Sequence, residues 1–162
     1  MPARAKWPLS RTLIFSRQNL PVLARPSSFS PDDVLKGAYV ITECSQPKLV
    51  LAATGSEVGA AVEAAALLEA EGTPTRVVSI PCVELFQKQP EAYRASLFPA
   101  GVKTVVVEAG STLGWKSILG ADTLAIGIDH YGASAPGELL AEKFGFTGKA
   151  VKEKVSKWLS SK

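Results

Sequence analysis

Leu49-Val50-Leu51-Ala52-Ala53-Thr54-Gly55-Ser56-Glu57-Val58 decides the fold. Five apolar residues without alternation suit a strand buried on both faces, the habit of parallel sheets. Thr54-Gly55-Ser56 then turns into a helix, with Val58, Ala61, Val62, Ala65 and Leu68 at helical spacing and Gly72 at the C-terminal cap. Arg76-Val77-Val78-Ser79-Ile80 reads as the next strand, closed by Pro81. Strand, helix, strand with a crossover of about 20 residues is a parallel, right-handed βαβ unit.

The same alternation extends both ways. Upstream, Tyr39-Val40-Ile41-Thr42 reads as a strand and Ser45-Gln46-Pro47 as a turn. Downstream, short helices are expected over Val83 to Gln89 and Glu91 to Phe98, a strand over Lys103 to Glu108, a helix over Gly114 to Leu119 and a strand over Leu124 to Ile128. Ser134 is placed to cap a helix with Pro136 in its first turn, running to Phe144. Thr147 is placed to cap a terminal helix whose Val151, Val155, Trp158 and Leu159 share one face. The pattern predicts a three-layer, doubly wound α/β fold with a mostly parallel sheet of about five strands. Thr12 to Ser16 reads as a further short strand, Arg25 to Pro31 as a linker, and Met1 to Arg11 as an irregular leader.

Composition narrows the function classes. With 162 residues, 46% of them hydrophobic, and a mean hydropathy of +0.14, the chain fits one globular domain with its own core. Two cysteines and one histidine exclude a disulfide scaffold and a histidine-rich metal centre. No apolar run reaches the ~18 residues of a membrane helix, because Glu63 breaks the longest candidate. The net charge of +3 is unevenly spread: residues 1–31 and 149–162 are basic, and the middle is acidic. Without aromatics interleaved among the basic residues, this footprint points away from nucleic acid. Residues 1–31 are arginine-rich and acid-free like an organellar leader, but the strand and turn readings inside them favour a cytoplasmic protein.

Several residues are candidates for chemistry. The turn at Ser56 opens a helix, where amide groups and the helix dipole favour an anion; Glu57 opposes that, and an ordinary N-cap is the plainer reading. Arg17, directly after the expected strand and fixed by Gln18-Asn19-Leu20-Pro21, can fork onto a phosphate. Asp129, His130 and Ser134 are too close in sequence to converge as a triad, which leaves His130 without a role. Cys44 and Cys82 lack any activating neighbour in sequence. Glu84, Glu108 and Asp122 form a carboxylate pair only if the fold joins them.

Ser16-Arg17-Gln18-Asn19-Leu20-Pro21 resembles the motif that ends the pyrimidine-binding domain of transketolases. Ala53 to Val58, Val78 to Pro81, Asp129 to Gly137 and Phe144 to Thr147 are similar to further stretches of that family, in the expected order. The resemblance implies that 32–162 is a transketolase C-terminal domain and that 12–31 is the remnant of the preceding pyrimidine-binding domain and its linker, after the 1–11 leader. It implies that Arg17 binds the terminal phosphate of the sugar substrate, with Ser56 left as a candidate anion site. The family's Gly-Asp-Gly segment for magnesium and thiamine diphosphate is missing from the sequence. The chain alone is therefore expected to bind no cofactor and to be inactive in two-carbon ketol transfer between sugar phosphates. Its expected partners are the N-terminal and pyrimidine-binding domains, with self-association through the face they would cover. The other reading is a freestanding binding module for a small phosphorylated ligand.

Overall fold

The computed structural model describes residues 14–16 and 18–161. At its centre is β2 (Leu49–Ala53), every residue of which is inaccessible to solvent. It lies between β3 (Thr75–Ser79) and β4 (Lys103–Val107), parallel to both, with Leu51 opposite Val77 on one side and Val105 on the other. β5 (Leu124–Ile126) extends the sheet in parallel beyond β4, and β1 (Tyr39–Thr42) closes the other edge antiparallel to β3. The order is β1-β3-β2-β4-β5, the doubly wound sheet the sequence predicts.

The pleat of β2 divides the interior into two cores. Leu49, Leu51 and Ala53 face α1 (Glu57–Ala70) and α6 (Gly148–Ser160), meeting Ala61, Leu68, Val151 and Val155. Val50 and Ala52 face the layer of α2 (Val83–Gln87), α3 (Glu91–Leu97) and α4 (Trp115–Leu119), meeting Phe86, Leu97 and Trp115. α5 (Gly137–Phe144) touches the first core only through Ala141 and Phe144, and none of its residues is buried.

Helix ends carry the local logic. Beyond α1, the Thr73 amide donates to Leu68 O and the Gly72 amide to Glu69 O, both at 2.9 Å. This paired closure needs a left-handed residue, which Gly72 supplies at φ +81°. Thr147 caps α6 as expected, accepting from the Ala150 amide at 3.2 Å. Ser56 does not cap α1: its own backbone is already helical at φ −68° and ψ −24°, and its hydroxyl donates to Glu57 Oε1 at 2.7 Å. Ser134 does not cap α5 either. Pro136 is extended, so the helix begins only at Gly137, out of reach of the Ser134 side chain.

Two further expectations change. The strand over Thr12 to Ser16 is not formed where it is described: Ile14 to Ser16 are exposed and pair with no strand, while Thr12 and Leu13 lie outside the described residues, as does the 1–11 leader. The linker ends in an ordered element, a 3₁₀ helix over Pro31–Lys36. Ser30 and Asp33 form its reciprocal capping box, with the Ser30 amide donating to Asp33 Oδ2 at 2.8 Å.

Leu51 is inaccessible to solvent, with Val77 and Val105 opposite it in the sheet and the α1 and α6 core over its side chain. Leu51→Ala is expected to cost about 2–5 kcal/mol. Urea unfolding of the two proteins, compared at equal m-value, checks this; a loss below about 1 kcal/mol would show that the core of α1 and α6 collapses into the vacated space.

Candidate functional site

In a doubly wound sheet, ligands bind outside the carboxyl ends of the strands where the strand order reverses. Here β2 leads by α1 to β3 on one side, and the chain then crosses back to β4 on the other, so that point lies between the ends of β2 and β4. Thr54 follows β2 and Glu108 follows β4, and the Thr54 hydroxyl donates to the Glu108 carboxylate across the gap. The loops beyond are close as well. A Cβ on Gly127 would come within 2.6 Å of Gly110 O, and the Ile128 amide donates to that same oxygen at 2.7 Å. The crevice is thus filled by the chain's own carboxylate and backbone. In the sequence Glu108 stands out only as one of a conditional carboxylate pair, since its partner Thr54 is 54 residues away.

The other two carboxylates of that conditional group go elsewhere. Glu84 Oε2 lies 3.5 Å from Cys82 Sγ, and Asp122 precedes β5, at the opposite edge of the sheet from Glu108. Cys44 and Cys82 are free, half-buried thiols. Ser56 is half-buried beside Glu57, whose carboxylate accepts its hydroxyl at the start of α1. Arg17 lies outside the described residues. Its neighbour Gln18 is described and rests against the start of α5, with Nε2 3.5 Å from where a Gly137 Cβ would be.

Beside the filled crevice, the loops after β4 and β5 enclose an open cleft of about 640 Å³, lined by Ser111, Thr112, Leu113, Ile128, Asp129, His130 and Tyr131. Asp129 ties its two walls together. It accepts from the Thr112 amide at 2.8 Å, the Thr112 hydroxyl at 2.7 Å and the Ser111 hydroxyl at 3.2 Å. These bonds, those from Thr112 foremost, hold the Asp129 carboxyl below its ordinary value of 3.8. His130 Nδ1 lies 2.8 Å from Tyr131 O, and its ring is tilted 5.5 Å from that of Phe144. Asp129 therefore serves the Ser111–Thr112 loop and is not aligned with a histidine and a nucleophile, as the sequence argument against a triad holds.

These residues do not fit a diphosphate with its metal. Among the described residues no three of His, Cys, Asp and Glu stand together as a metal-binding group. At the point where a diphosphate would enter, the structure presents the Glu108 carboxylate.

The class defined so far is a three-layer, doubly wound α/β domain whose ligand crevice is closed by its own side chains. The chain belongs to the transketolase-like TK C-terminal domain family, whose model matches residues 37–147. It is 45% identical to the transketolase of Aquifex aeolicus over 151 residues, covering 91% of this chain and 22% of that protein. Among solved structures, transketolase from Leishmania mexicana superposes with a TM-score of 0.79 at 39% identity, covering 90% of this chain and 21% of that one. A split-gene transketolase, described as an inactive beta4 tetramer, superposes at 0.63 with 26% identity, covering 84% and 47%. The chain thus spans about a fifth of the length of the curated relatives it matches.

Asp129 gives the site a pH signature. Its folded value is depressed, so the stabilisation it provides is complete above its unfolded value of 3.8 and is lost as pH falls through the folded value. Asp129→Asn is expected to lower Tm at pH 7, with the deficit shrinking by pH 3. A deficit of equal size at both values would contradict the assignment of these bonds to the ionised carboxylate.

Proposed function

We propose that this chain acts as the C-terminal portion of a transketolase, the thiamine-diphosphate-dependent enzyme that moves a two-carbon ketol unit between sugar phosphates. In that enzyme Arg17 binds the terminal phosphate of the substrate. The observation that carries this reading is the extent of the match to the Aquifex aeolicus transketolase. Covering 91% of 162 residues leaves about 15 outside, so the matched stretch takes in Arg17 as well as the domain proper. The match therefore extends beyond the family domain at 37–147 into the Ser16 to Pro21 motif.

Arg17 suits the role because a guanidinium offers a planar fork of donors to two phosphate oxygens and stays charged throughout the working pH range. Residues 12–31 are read as the end of the preceding pyrimidine-binding domain with its linker, and 32–162 as the C-terminal domain. The described residues do not fit thiamine diphosphate and magnesium, and other portions of the enzyme are assigned to hold them. Those portions supply the carbanion chemistry; this domain supplies packing, support for assembly and one phosphate contact. The split-gene transketolase described as an inactive beta4 tetramer supports a need for a complementary portion. The free thiols suit a reducing compartment, and we assign the cytoplasm. The freestanding phosphate-binding module is not favoured, because Glu57 and Glu108 occupy the positions an anion would need.

The test is a two-carbon transfer assay with xylulose 5-phosphate, ribose 5-phosphate, thiamine diphosphate and magnesium. The chain alone is expected to be inactive, and activity to emerge when the portion of the Aquifex aeolicus enzyme that precedes the match is added. In the active mixture, Arg17→Ala removes a charge-assisted bond of ~1.5–3 kcal/mol and is expected to raise KM for ribose 5-phosphate about 10–150-fold. An unchanged KM would remove Arg17 from the phosphate site. Turnover by the chain alone would overturn the need for a second portion.

A further inference from the structure

The amino edge of the sheet, opposite the closed crevice, carries a second cavity. It measures about 490 Å³, within the ~300–1,000 Å³ range of small-molecule sites. Pro47, Val102 and Leu159 give it apolar walls, and Lys48 and Lys103 give it two ammonium groups. No carboxylate is among the described residues that line it. Lys103 opens β4 opposite Leu49 of β2, and Lys48 directly precedes that leucine. The two lysines therefore spring from adjacent central strands, whose register fixes their backbone positions. Lys48 is exposed, while Lys103 is half-buried with Nζ 5.0 Å from the centre of the Trp158 ring.

Two plainer roles for this pair fail. Lysines on an edge strand block further strand pairing, but β2 and β4 are interior to the sheet. Lysines near the last turn of a helix can satisfy its carbonyls, but α1 and α6 are closed by their own chain. The Thr73 amide closes α1 on Leu68 O, and Ser161 closes α6 on Trp158 O through its amide at 3.3 Å and its hydroxyl at 2.9 Å. Lys36 and Lys152 are paired with Asp33 and Glu71, whereas neither Lys48 nor Lys103 joins an ion pair among the described residues.

We infer that this cavity binds a small organic dianion of the phosphate monoester class. Its anionic end lies between Lys48 and Lys103, and its apolar end rests on Pro47, Val102 and Leu159. Two ammonium groups match the charge of a phosphate monoester, close to two negative charges at neutral pH. Each is a point charge that needs no fixed fork geometry to meet a phosphate oxygen. The site stands on residues of this chain alone, whatever the role of Arg17. It also lies at the other end of the sheet from Glu57 and Glu108, whose carboxylates oppose an anion at the carboxyl edge.

The experiment titrates the chain with phenyl phosphate and follows the backbone amides by heteronuclear NMR. Saturable shifts are expected at Thr73, Gly101, Val102 and Leu159, with affinity falling as salt is added. Inorganic phosphate lacks the apolar end and benzyl alcohol lacks the charge, and each is expected to bind about tenfold more weakly. Lys48→Gln and Lys103→Gln are each expected to weaken phenyl phosphate about fivefold, the weight of a solvent-facing ion pair. Lys48→Gln is expected to leave Tm unchanged, which separates lost binding from lost folding. Equal affinity in the parent and both variants would overturn the inference, as would shifts confined to residues 111–113 and 128–131. Shifts that grow without saturating would show ionic screening only and overturn it as well. Inorganic phosphate binding as tightly as phenyl phosphate would overturn the part given to the apolar walls.

Discussion

The two-sided burial of β2 is the constraint on which the structure depends. Its backbone groups can be satisfied only by strands on both sides, and its side chains only by layers above and below. Leu49, Leu51 and Ala53 commit one face to α1 and α6, while Val50 and Ala52 commit the other to the shorter helices α2, α3 and α4. A polar side chain at any of these positions would place an unpaired group in one of the cores. The small residues matter as much as the large ones. Ala52 and Ala53 end the strand with little bulk, next to the point where Thr54 must reach Glu108.

That constraint explains what was legible in the sequence. β2 is an unbroken apolar run, β3 and β4 centre on valine runs with a threonine upstream, and α1 carries its small and apolar residues at helical spacing, so element type follows from local pattern. The right-handed crossover rule fixes the face on which α1 packs, whereas the order β1-β3-β2-β4-β5 depends on pairings that no local pattern carries. The caps were less legible, because a serine near a helix start caps only if its own backbone is extended. Ser56 is helical and Ser134 is two residues upstream of the cap position. Ser30, inside a stretch read as a linker, meets the condition at φ −116° and ψ 144°. Its Ser-Pro-Asp-Asp sequence carried the capping-box signal, which the surrounding proline- and serine-rich composition masked.

The site divides in the same way. Arg17 stood out through a motif contiguous in sequence. Thr54 and Glu108 did not, because their meeting depends on β2 and β4 being neighbours in register, with Ala53 opposite Val107. The Asp129 tie to Thr112 likewise joins two loops that only the β4–β5 pairing brings together. Each is a polar bond between residues following adjacent parallel strands. Where such a fold ordinarily opens to a ligand, this domain has spent its polar groups on itself.

The two edge strands have a bearing on how the domain meets other chains. β5 is three residues long, and the pairing of β1 is irregular between Val40 and Thr42. A short edge and a bulged edge are both poor templates for a further strand. The domain can therefore sit at high local concentration inside a large assembly without its sheet fusing to that of a neighbour. Recognition is left to loops and side chains, whose contacts can be made and released without unzipping any backbone ladder.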